Sequence, residues 1–454
     1  MSGSSFSRRG LIAGSATAAS LASLGVYSVF ESRDDRKAAA PSPSALFART
    51  ASAVEVERLF IQAASGQVHD LENLTYVIDR PVVVAAGGGL RGPGRLSLAP
   101  DFIGQWAVEF TAGAASKISN VEIDGAAVRA TVVSAIRANG STSGLSITGC
   151  NLRNLPFDGI DVSGGAGAYR HDAPVIADNT IENVGWVAVN IEAARNARVS
   201  GNRVSRTGYH GVSVMLGCTG ARVVENQITK SRPPTRIFAG QGSLQGAEGG
   251  FMIAFDPSVD DIVIERNVCD DNRNAAQDGI GVGEDGRTFG RSRIADNVVR
   301  RAGLFGIDAP GNCVVERNLV EGAAQQGIHV GLDLGGLIEN VVVRNNIIRD
   351  TGDVASRVQT FGILVGDTHG SPIRMHNVAI TANTVADTRD PPRTDYGVAI
   401  VSDEARYENL TVEDNDLSQV RISSLIWIGS AGPGPGFRGQ RNRCATQCTL
   451  PPHP

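Results

Sequence analysis

The segment "NRVSRTGYHGVSV", residues Asn202–Val214, repeats the outline of "NTIENVGWVAVNI", residues Asn179–Ile191. Both segments begin at an Asn, reach a Gly six residues later and end in an apolar-x-apolar triplet, and they start 23 residues apart. Self-similarity at a fixed short period is the signature of a repeat architecture. The Tyr209-His210 pair therefore occupies a position of a repeat, and its chemistry depends on how the repeats stack.

The initial Asn and a second signal recur along most of the chain. The Asn positions are Asn151, Asn179, Asn202, Asn226, Asn267, Asn297, Asn318, Asn346, Asn383 and Asn415, and Gly-aliphatic-x-aliphatic follows at 159, 211, 279, 306, 327, 362 and 397. Short alternating segments bounded by Gly and Asn predict β-strands separated by turns. A unit of about 22 residues cannot close its own core, so the units must stack as coils. An Asn at one fixed bend would then bond to its neighbours as an amide ladder.

From about Asn120 to Asn442 the chain resembles the right-handed parallel β-helix proteins of the pectate-lyase-like superfamily. "ISNVEIDG", residues Ile118–Gly125, is similar to the early-coil signature of that superfamily. The resemblance implies an all-β fold, a single-stranded right-handed parallel β-helix with an N-terminal capping α-helix. We expect a signal or anchor segment at 1–40, the capping helix at 41–66, the β-helix at 67–430 and a Gly/Pro-rich tail at 431–454. Helical spacing of apolar residues over 45–64 supports the cap.

The N-terminus is similar to a twin-arginine export signal, because Arg8-Arg9 precedes an apolar run of small residues. This implies a periplasmic or secreted protein, with membrane contact only through an uncleaved N-terminal segment. The net charge of −5 gives no basic field, so nucleic acid is excluded as an expected partner. The Cys spacing excludes a zinc site. Cys444 and Cys448 are candidates for a disulfide, whereas Cys269 and Cys313 fall on inward positions expected to hold buried thiols.

In each Gly-aliphatic-x-aliphatic unit the two aliphatic residues point inward, so the residue between them points outward. The resulting column is Asp161, Asn190, Ser213, Ala254, Gly281, Asp308, His329, Leu364 and Ala399. The lyases that the chain resembles bind extended sugar chains along such a face. Asp161, Asn190, Ser213, Asp308 and His329 are therefore predicted to bind substrate, and Trp186 and Tyr209 to offer a stacking surface on adjacent coils. The alternative is a solvated face of chance composition.

The segment "AFDPS", residues Ala254–Ser258, resembles the Tyr-Gly-Phe-Asp-Pro-His motif of mannuronan C5-epimerases. Asp256 and Pro257 match that motif, and Ser258 stands where the family has its catalytic His, so the resemblance implies a catalytic role for Asp256 alone. Proton abstraction next to a uronate carboxylate needs a base and groups that stabilise the developing charge. We assign the base to Tyr209 or His210. The stabilising groups are assigned to Lys230, Arg232 or Arg236 of the insertion after Asn226, together with Asn190. Arg236 is counted with the catalytic set.

The sequence thus predicts a lyase or C5-epimerase acting on an acidic, uronate-containing polysaccharide. Ca²⁺ is the alternative to the basic residues, but Asp161, Asp256 and Asp308 are too distant in coil number to share one ion. No metal or cofactor is therefore predicted. Two other functions stay open: a non-catalytic polysaccharide-binding or structural solenoid, and a glycoside hydrolase. The carboxylates considered for hydrolysis are Asp256, Asp278, Glu284 and Asp308.

Overall fold

The computed structural model describes residues 49–163, 171–230, 250–272, 278–282, 289–331, 336–352, 359–366, 373–401, 405–429, 432–445 and 448–449. Within them the chain winds in successive coils, and every paired strand lies parallel to its partner in the next coil. The interior of the coils is one continuous apolar core. The predicted parallel β-helix is confirmed.

The strands described form three sheets, here named A, B and C. Sheet A comprises Arg49–Thr50, Val68–Asp70, Leu74–Ile78, Gly89–Leu98, Lys117–Asp124, Ser146–Thr148, Asn151–Leu155, Val175–Ala177, Thr180–Val184, Arg198–Ser200, Arg203–Thr207, Arg222–Val224, Gln227–Thr229, Ile262–Glu265, Val268–Asp270, Ser292–Ala295, Val298–Arg300, Cys313–Glu316, Leu319–Glu321, Gly336–Arg344, Ile347–Arg349, Ile373–Thr381, Thr384–Ala386, Ala405–Glu413, Asp416–Leu417, Arg438–Gln440 and Arg443–Cys444. Sheet B comprises Val82–Val84, Trp106–Phe110, Ser134–Ala138, Ile160–Val162, Val189–Glu192, Val212–Met215, Ile253–Phe255, Ile280–Val282, Phe305–Asp308, Gln326–Val330, Phe361–Val365, Tyr396–Val401, Ser423–Ile428 and Cys448–Thr449. Sheet C comprises Gly113–Ala114, Thr142–Ser143, His171–Asp172 and Ala194–Arg195.

The repeated Asn residues form a buried amide ladder at one bend of the coils. Asn179 Nδ2, for example, donates to Asn202 Oδ1 at 3.0 Å. The same side-chain contact joins Asn202, Asn226, Asn267, Asn297, Asn318, Asn346, Asn383, Asn415 and Asn442 in sequence. The assignment of Asn151 to the ladder was wrong by one position. Cys150 occupies the site, and its backbone N–H donates to Asn179 Oδ1 at 2.9 Å.

The Gly that opens each Gly-aliphatic-x-aliphatic unit is required by close packing. A Cβ placed on Gly306 would lie 2.2 Å from Val320 Cγ1 and 2.6 Å from the carbonyl oxygen of Gly327. Both distances are far shorter than a van der Waals contact between such atoms. Only a residue without a side chain therefore lets the strand of sheet B approach its neighbours at this corner.

The helix spans Ala53–Ala64, a shorter range than the helical spacing over 45–64 predicts. Ser52 begins it as N-cap in a capping box with Glu55, and Arg49–Thr50 pairs instead as a strand with Leu74–Thr75. Leu59 and Ala63 are buried in the core that the first coils share. Among the described residues, no helix is both long and apolar enough to span a membrane.

The C-terminal segment continues the solenoid over part of the range expected to form a tail. Arg438–Gln440 and Arg443–Cys444 extend sheet A, and Cys448–Thr449 extends sheet B. The structure joins Cys444 and Cys448 in a disulfide, as predicted. Cys269 and Cys313 are buried free thiols, also as predicted, and burial raises the pKa of Cys313 to about 12. The predicted export segment at 1–40 lies outside the described residues.

Candidate functional site

The outward column predicted from the repeats is the central column of sheet B. Register pairs run from Asp161 through Asn190, Ser213 and Ala254 to Gly281, and from Asp308 through His329 and Leu364 to Ala399. The pairing of Ile280 with Ile307 joins the two runs. On the N-terminal side the column continues to Arg137 and then Glu109. The predicted order of the outward side chains is confirmed.

The column is buried over its central coils, so it is not the solvated face that the alternative interpretation described. Exposure is 1% for Asp161, 7% for Asn190, 2% for Ser213 and 3% for His329. Buried polar groups are costly unless they are hydrogen-bonded. The partners of these side chains therefore decide what the face can do.

A polar cluster lies at the N-terminal end of the column. The sequence predicted Asp161 and Asn190 as members of this face, but not Glu192 or Arg137. Asn190 Nδ2 donates to Asp161 Oδ1 at 2.9 Å and to Glu192 Oε1 at 3.2 Å. Arg137 Nη1 lies 3.7 Å from Asp161 Oδ2, and the Arg137 guanidinium sits 4.5 Å from the centre of the Trp106 ring. The sequence did carry a signal for Glu192, since it follows Asn190 by two residues and so faces the same side of the strand.

Trp186 and Tyr209 stack on each other, but they do not form an open surface for a sugar ring. The rings of Trp186 and Tyr209 are 4.3 Å apart and nearly parallel, and Phe157 lies parallel to Trp186 at 6.3 Å. Tyr209 in turn contacts His210 at 3.9 Å. Because neighbouring rings cover both faces of Trp186, the predicted sugar stacking on Trp186 is wrong; the stack supports the corner of the coils.

His210 is buried and does not have the free basic nitrogen that a general base requires. Its Nδ1 accepts a hydrogen bond from the backbone N–H of Phe251 at 3.0 Å. Burial, and then the nearby charge of Lys230, lower the pKa of His210 well below its ordinary value, so the ring is neutral. With Nδ1 accepting, the proton of a neutral ring is on Nε2. His210 can therefore donate a hydrogen bond but cannot take a proton, which contradicts its assignment as base.

Lys230 binds the backbone and does not project toward a ligand on the outward column. Its Nζ donates to the carbonyl oxygens of Tyr209 and, at 2.9 Å, of Gly250. Asn272 Nδ2 also donates to the Gly250 carbonyl, at 3.3 Å. Lys230 thus joins adjacent coils beside the aromatic stack, and its assignment to substrate is wrong. Arg232 and Arg236 lie outside the described residues.

Asp256 is distant from His210 and is saturated by local donors. Its carboxylate accepts from the backbone N–H of Leu216 at 2.6 Å, from the N–H of Ser258 at 2.8 Å and from the Ser258 hydroxyl. In the register of sheet B, His210 aligns with Phe251, five residues before Asp256. Five strand residues span about 16 Å. The structure therefore does not bring Asp256 into one site with His210, and the carboxylate serves to cap a turn.

Asp308 and His329 form a second polar cluster, four coils and about 19 Å beyond Asn190. His329 Nδ1 lies 2.9 Å from Asp308 Oδ1, and Nε2 lies 3.2 Å from the carbonyl oxygen of Gly366. Asp278 binds the backbone N–H of Phe305 at 3.0 Å, and Glu284 lies outside the described residues. Among the residues described, no three His, Cys, Asp or Glu side chains are grouped as metal ligands.

Comparison with known proteins places this coil geometry in a family. The family described as "Right handed beta helix region" matches residues 106–244 and 249–432, more than half of the chain. The chain belongs to this right-handed β-helix family. No curated protein sequence matches it.

Several solved β-helix structures are similar over most of the chain. The A-module of the mannuronan C-5 epimerase AlgE6 from Azotobacter vinelandii is 13% identical with a TM-score of 0.51, and the match covers 86% of this chain and 94% of that module. The periplasmic alginate epimerase AlgG is 14% identical with a TM-score of 0.53, covering 83% of each chain. The Dettilon tailspike protein is 15% identical with a TM-score of 0.50, covering 83% of this chain and 64% of the tailspike. At these identities the likeness is one of fold.

Proposed function

We propose that this β-helix binds a polysaccharide along the outward column of sheet B and acts on it there. The observation that carries the proposal is the column itself, in which two hydrogen-bonded polar clusters flank the small residues Ser213, Ala254 and Gly281 in register. Coils stack about 4.8 Å apart, so a sugar chain running along the solenoid axis would meet one coil after another. The shared fold with two alginate-modifying epimerases supports a polysaccharide as ligand.

The more specific proposal is an acidic polysaccharide processed by lyase or C5-epimerase chemistry. Tyr209, whose ring contacts that of His210 at a corner of the coils, is the base that remains in this proposal once His210 is set aside. A base in hydrogen-bond reach of the C5 proton is the first requirement of both reactions. The Asn190 amide donates to Asp161 and Glu192, so it is committed to these carboxylates and stabilises no substrate anion. Periplasmic or secreted localisation belongs to the same proposal, and the likeness to the periplasmic AlgG supports it.

The experiment is incubation of the full chain with alginate, pectate and gellan. Eliminative cleavage appears as unsaturated-uronate absorbance, and epimerisation as a changed C5 configuration in the NMR spectrum. We expect Tyr209→Phe to lower turnover by about 100-fold, because general base catalysis contributes at least that factor. Tyr396→Phe, on a later strand of sheet B, is the matched control and should turn over as the wild type.

Three results would contradict these proposals. Binding of a polysaccharide with no turnover would favour the passive solenoid, and binding of neutral polymers alone would remove the acidic substrate. Failure of the wild type to bind any polysaccharide would remove the proposed function as a whole.

A further inference from the structure

Three arginine side chains on the outer face of sheet A have no acidic partner among the described residues. Arg198 and Arg222 are register neighbours on adjacent coils, and Arg203 is on the next strand of the same coil as Arg198. Each is exposed and alternates along its strand with a buried valine, so each points outward. Arg203 and Arg222 form neither a hydrogen bond nor an ion pair with the described residues, and Arg198 donates only to the Ser200 hydroxyl, at 3.2 Å.

This arrangement differs from that of the later coils on the same face. Arg300 and Glu321, for example, are register neighbours on adjacent coils, and their Nε and Oε2 atoms lie 3.2 Å apart. Opposite charges at such positions stabilise a pair of strands, whereas like charges directly opposite each other destabilise it. Arg198 beside Arg222 therefore lowers the stability of the free protein, and an anion bound between them would remove the repulsion.

A groove of about 330 Å³ lies on this face and includes Arg203. Two columns of outward side chains that stay in register from coil to coil line it: Thr180, Arg203, Gln227 and Val268, and beside them Ser205, Thr229 and Asp270. Coils stack about 4.8 Å apart, so four coils give the groove a length of about 14 Å along the solenoid axis. Its hydroxyl and amide groups are of the kind that orient a ligand by hydrogen bonds.

The carboxylates at the two ends of the groove have arginine partners of their own. Asp270 Oδ1 lies 2.8 Å from Arg301 Nη2 at one end. At the other end, Glu182 Oε1 lies 3.8 Å from Arg206 Nη1. The bend of the same coil as Glu182 adds one further carboxylate, Asp178. One carboxylate against three unpaired guanidinium groups leaves this part of the face with a net positive charge.

We propose that this face of sheet A binds carboxylate groups of an acidic polysaccharide, as a second site for the polymer that acts as substrate on sheet B. The inference rests on the proposed function for the identity of the ligand. A guanidinium group binds a carboxylate through two parallel N–H···O contacts. Arg198, Arg203 and Arg222 therefore suit a polymer with carboxylates at regular intervals, while Ser205, Thr229 and Gln227 bind its hydroxyl groups.

The groove lies on the coil that carries the proposed base. The strand Arg203–Thr207, which supplies Arg203 and Ser205 to the groove, ends two residues before Tyr209 at the corner of the coils. A polymer held on sheet A is thus tethered next to the face on which the reaction is proposed. Tethering one segment of a polymer raises the effective concentration of its other segments at a neighbouring site.

The test measures binding of the full chain to pectate and alginate by isothermal titration calorimetry at low ionic strength. The triple variant Arg198→Gln, Arg203→Gln and Arg222→Gln should bind these polyuronates about 10-fold more weakly, because it loses three exposed charge contacts of modest strength. The difference between wild type and variant should shrink as NaCl is added, since salt screens exposed charges. Binding of dextran, a neutral polysaccharide, should be the same in both proteins.

A second triple variant removes the same charge from arginines on distant coils. Arg91→Gln, Arg291→Gln and Arg443→Gln replace exposed arginines that pair with acidic groups, and this protein should bind polyuronates as the wild type does. The loss of Arg198 and Arg222 removes a repulsion, so the first triple variant should unfold at the same urea concentration as the wild type or at a higher one.

The outcomes separate this site from the proposed reaction. Unchanged polyuronate binding in the first triple variant, an equal loss in the second, or a clear loss of stability in the first would overturn the site on sheet A. Polyuronate binding without turnover, still about 10-fold weaker in the first triple variant, would contradict the lyase or epimerase chemistry and support this site. Absence of polyuronate binding by the wild type would overturn both.

Discussion

Asp256 matches a catalytic motif, but its carboxylate binds backbone N–H groups. The motif resemblance covers Asp256 and Pro257, but the carboxylate oxygens receive the N–H groups of Leu216 and Ser258 together with the Ser258 hydroxyl. Since Leu216 belongs to the preceding coil and has a φ of 53°, the carboxylate fixes a left-handed turn of its neighbour. Position in a sequence motif did not reveal this, because the Leu216 donor comes from another coil.

We therefore predict that Asp256→Ala destabilises the fold by about 1–3 kcal/mol, since the part-buried N–H of Leu216 and the N–H of Ser258 would lose their acceptor. Urea unfolding at neutral pH measures the change. Asp79→Ala, at an exposed ion pair with Arg80, should cost at most about 0.5 kcal/mol. Asp256→Asn, if it folds normally, should keep most of the activity. Loss of activity in Asp256→Asn at unchanged stability would restore a catalytic role for this residue.

The amide ladder is the element that fixes the register of the coils. Each internal Asn makes three amide contacts, as Asn297 shows. Its Nδ2 donates to Oδ1 of the next Asn, Asn318, and to the carbonyl oxygen of Ile264 on an earlier coil. Its Oδ1 accepts from Nδ2 of the preceding Asn, Asn267. An Asn in the ladder therefore satisfies backbone groups of more than one coil inside an apolar core. A second row of Asn, including Asn377, runs along the surface with similar amide contacts.

The two rows should respond differently to substitution. Asn297→Ala should cost about 3–5 kcal/mol, because it leaves buried donors and acceptors of neighbouring coils without partners. Asn377→Gly keeps the left-handed backbone at a φ of 57° and removes only exposed contacts, so we expect a loss within about 1 kcal/mol. Urea midpoints of the two variants give the comparison. Equal losses of unfolding free energy in the two variants would show that burial does not determine how much an Asn of the ladder stabilises the fold.

At the scale of the whole molecule, rows of opposite charges cross the outer face of sheet A. Glu316 is the centre of one such network and pairs with Arg293, Arg317 and Arg344 at 2.9, 2.9 and 2.7 Å. Burial alone would raise the pKa of Glu316, but hydrogen bonds from the three guanidinium groups outweigh it and lower the pKa to about 2. Charge thus supplements the core in holding successive coils together.

This network predicts a specific acid sensitivity. Because the pKa of Glu316 is lower in the folded chain than its ordinary value of 4.5, its contribution is fully present above pH 4.5 and is lost as the pH falls toward 2. Unfolding free energies of the wild type and Glu316→Gln should therefore differ most near neutral pH and converge in acid. Parallel curves through this window would contradict the role of Glu316.

The coil architecture could be predicted because its signals are local. Strand alternation, the Gly of each corner and the ladder Asn recur within each unit, and together they gave the outward column from Asp161 to Ala399 in the correct order. The error at Asn151 came from the same local pattern, because Asn151 fits the pattern although it is one residue away from the ladder position. Cys150 occupies that position, and its backbone N–H donates to Asn179.

The stack of parallel coils and the identity of the outward side chains follow from the order of the amino acids, because alternation along a strand and an Asn at the same bend of each unit are local patterns. Which side chains meet depends on the stacking of the coils. Asn190 joins Asp161 to Glu192, neighbouring rings cover Trp186, and the backbone N–H of Phe251 binds the basic nitrogen of His210. The contacts of Asn190 with Asp161, of Trp186 with Tyr209 and of His210 with Phe251 join residues 23–41 positions apart on different coils, so they form only once the coils are stacked.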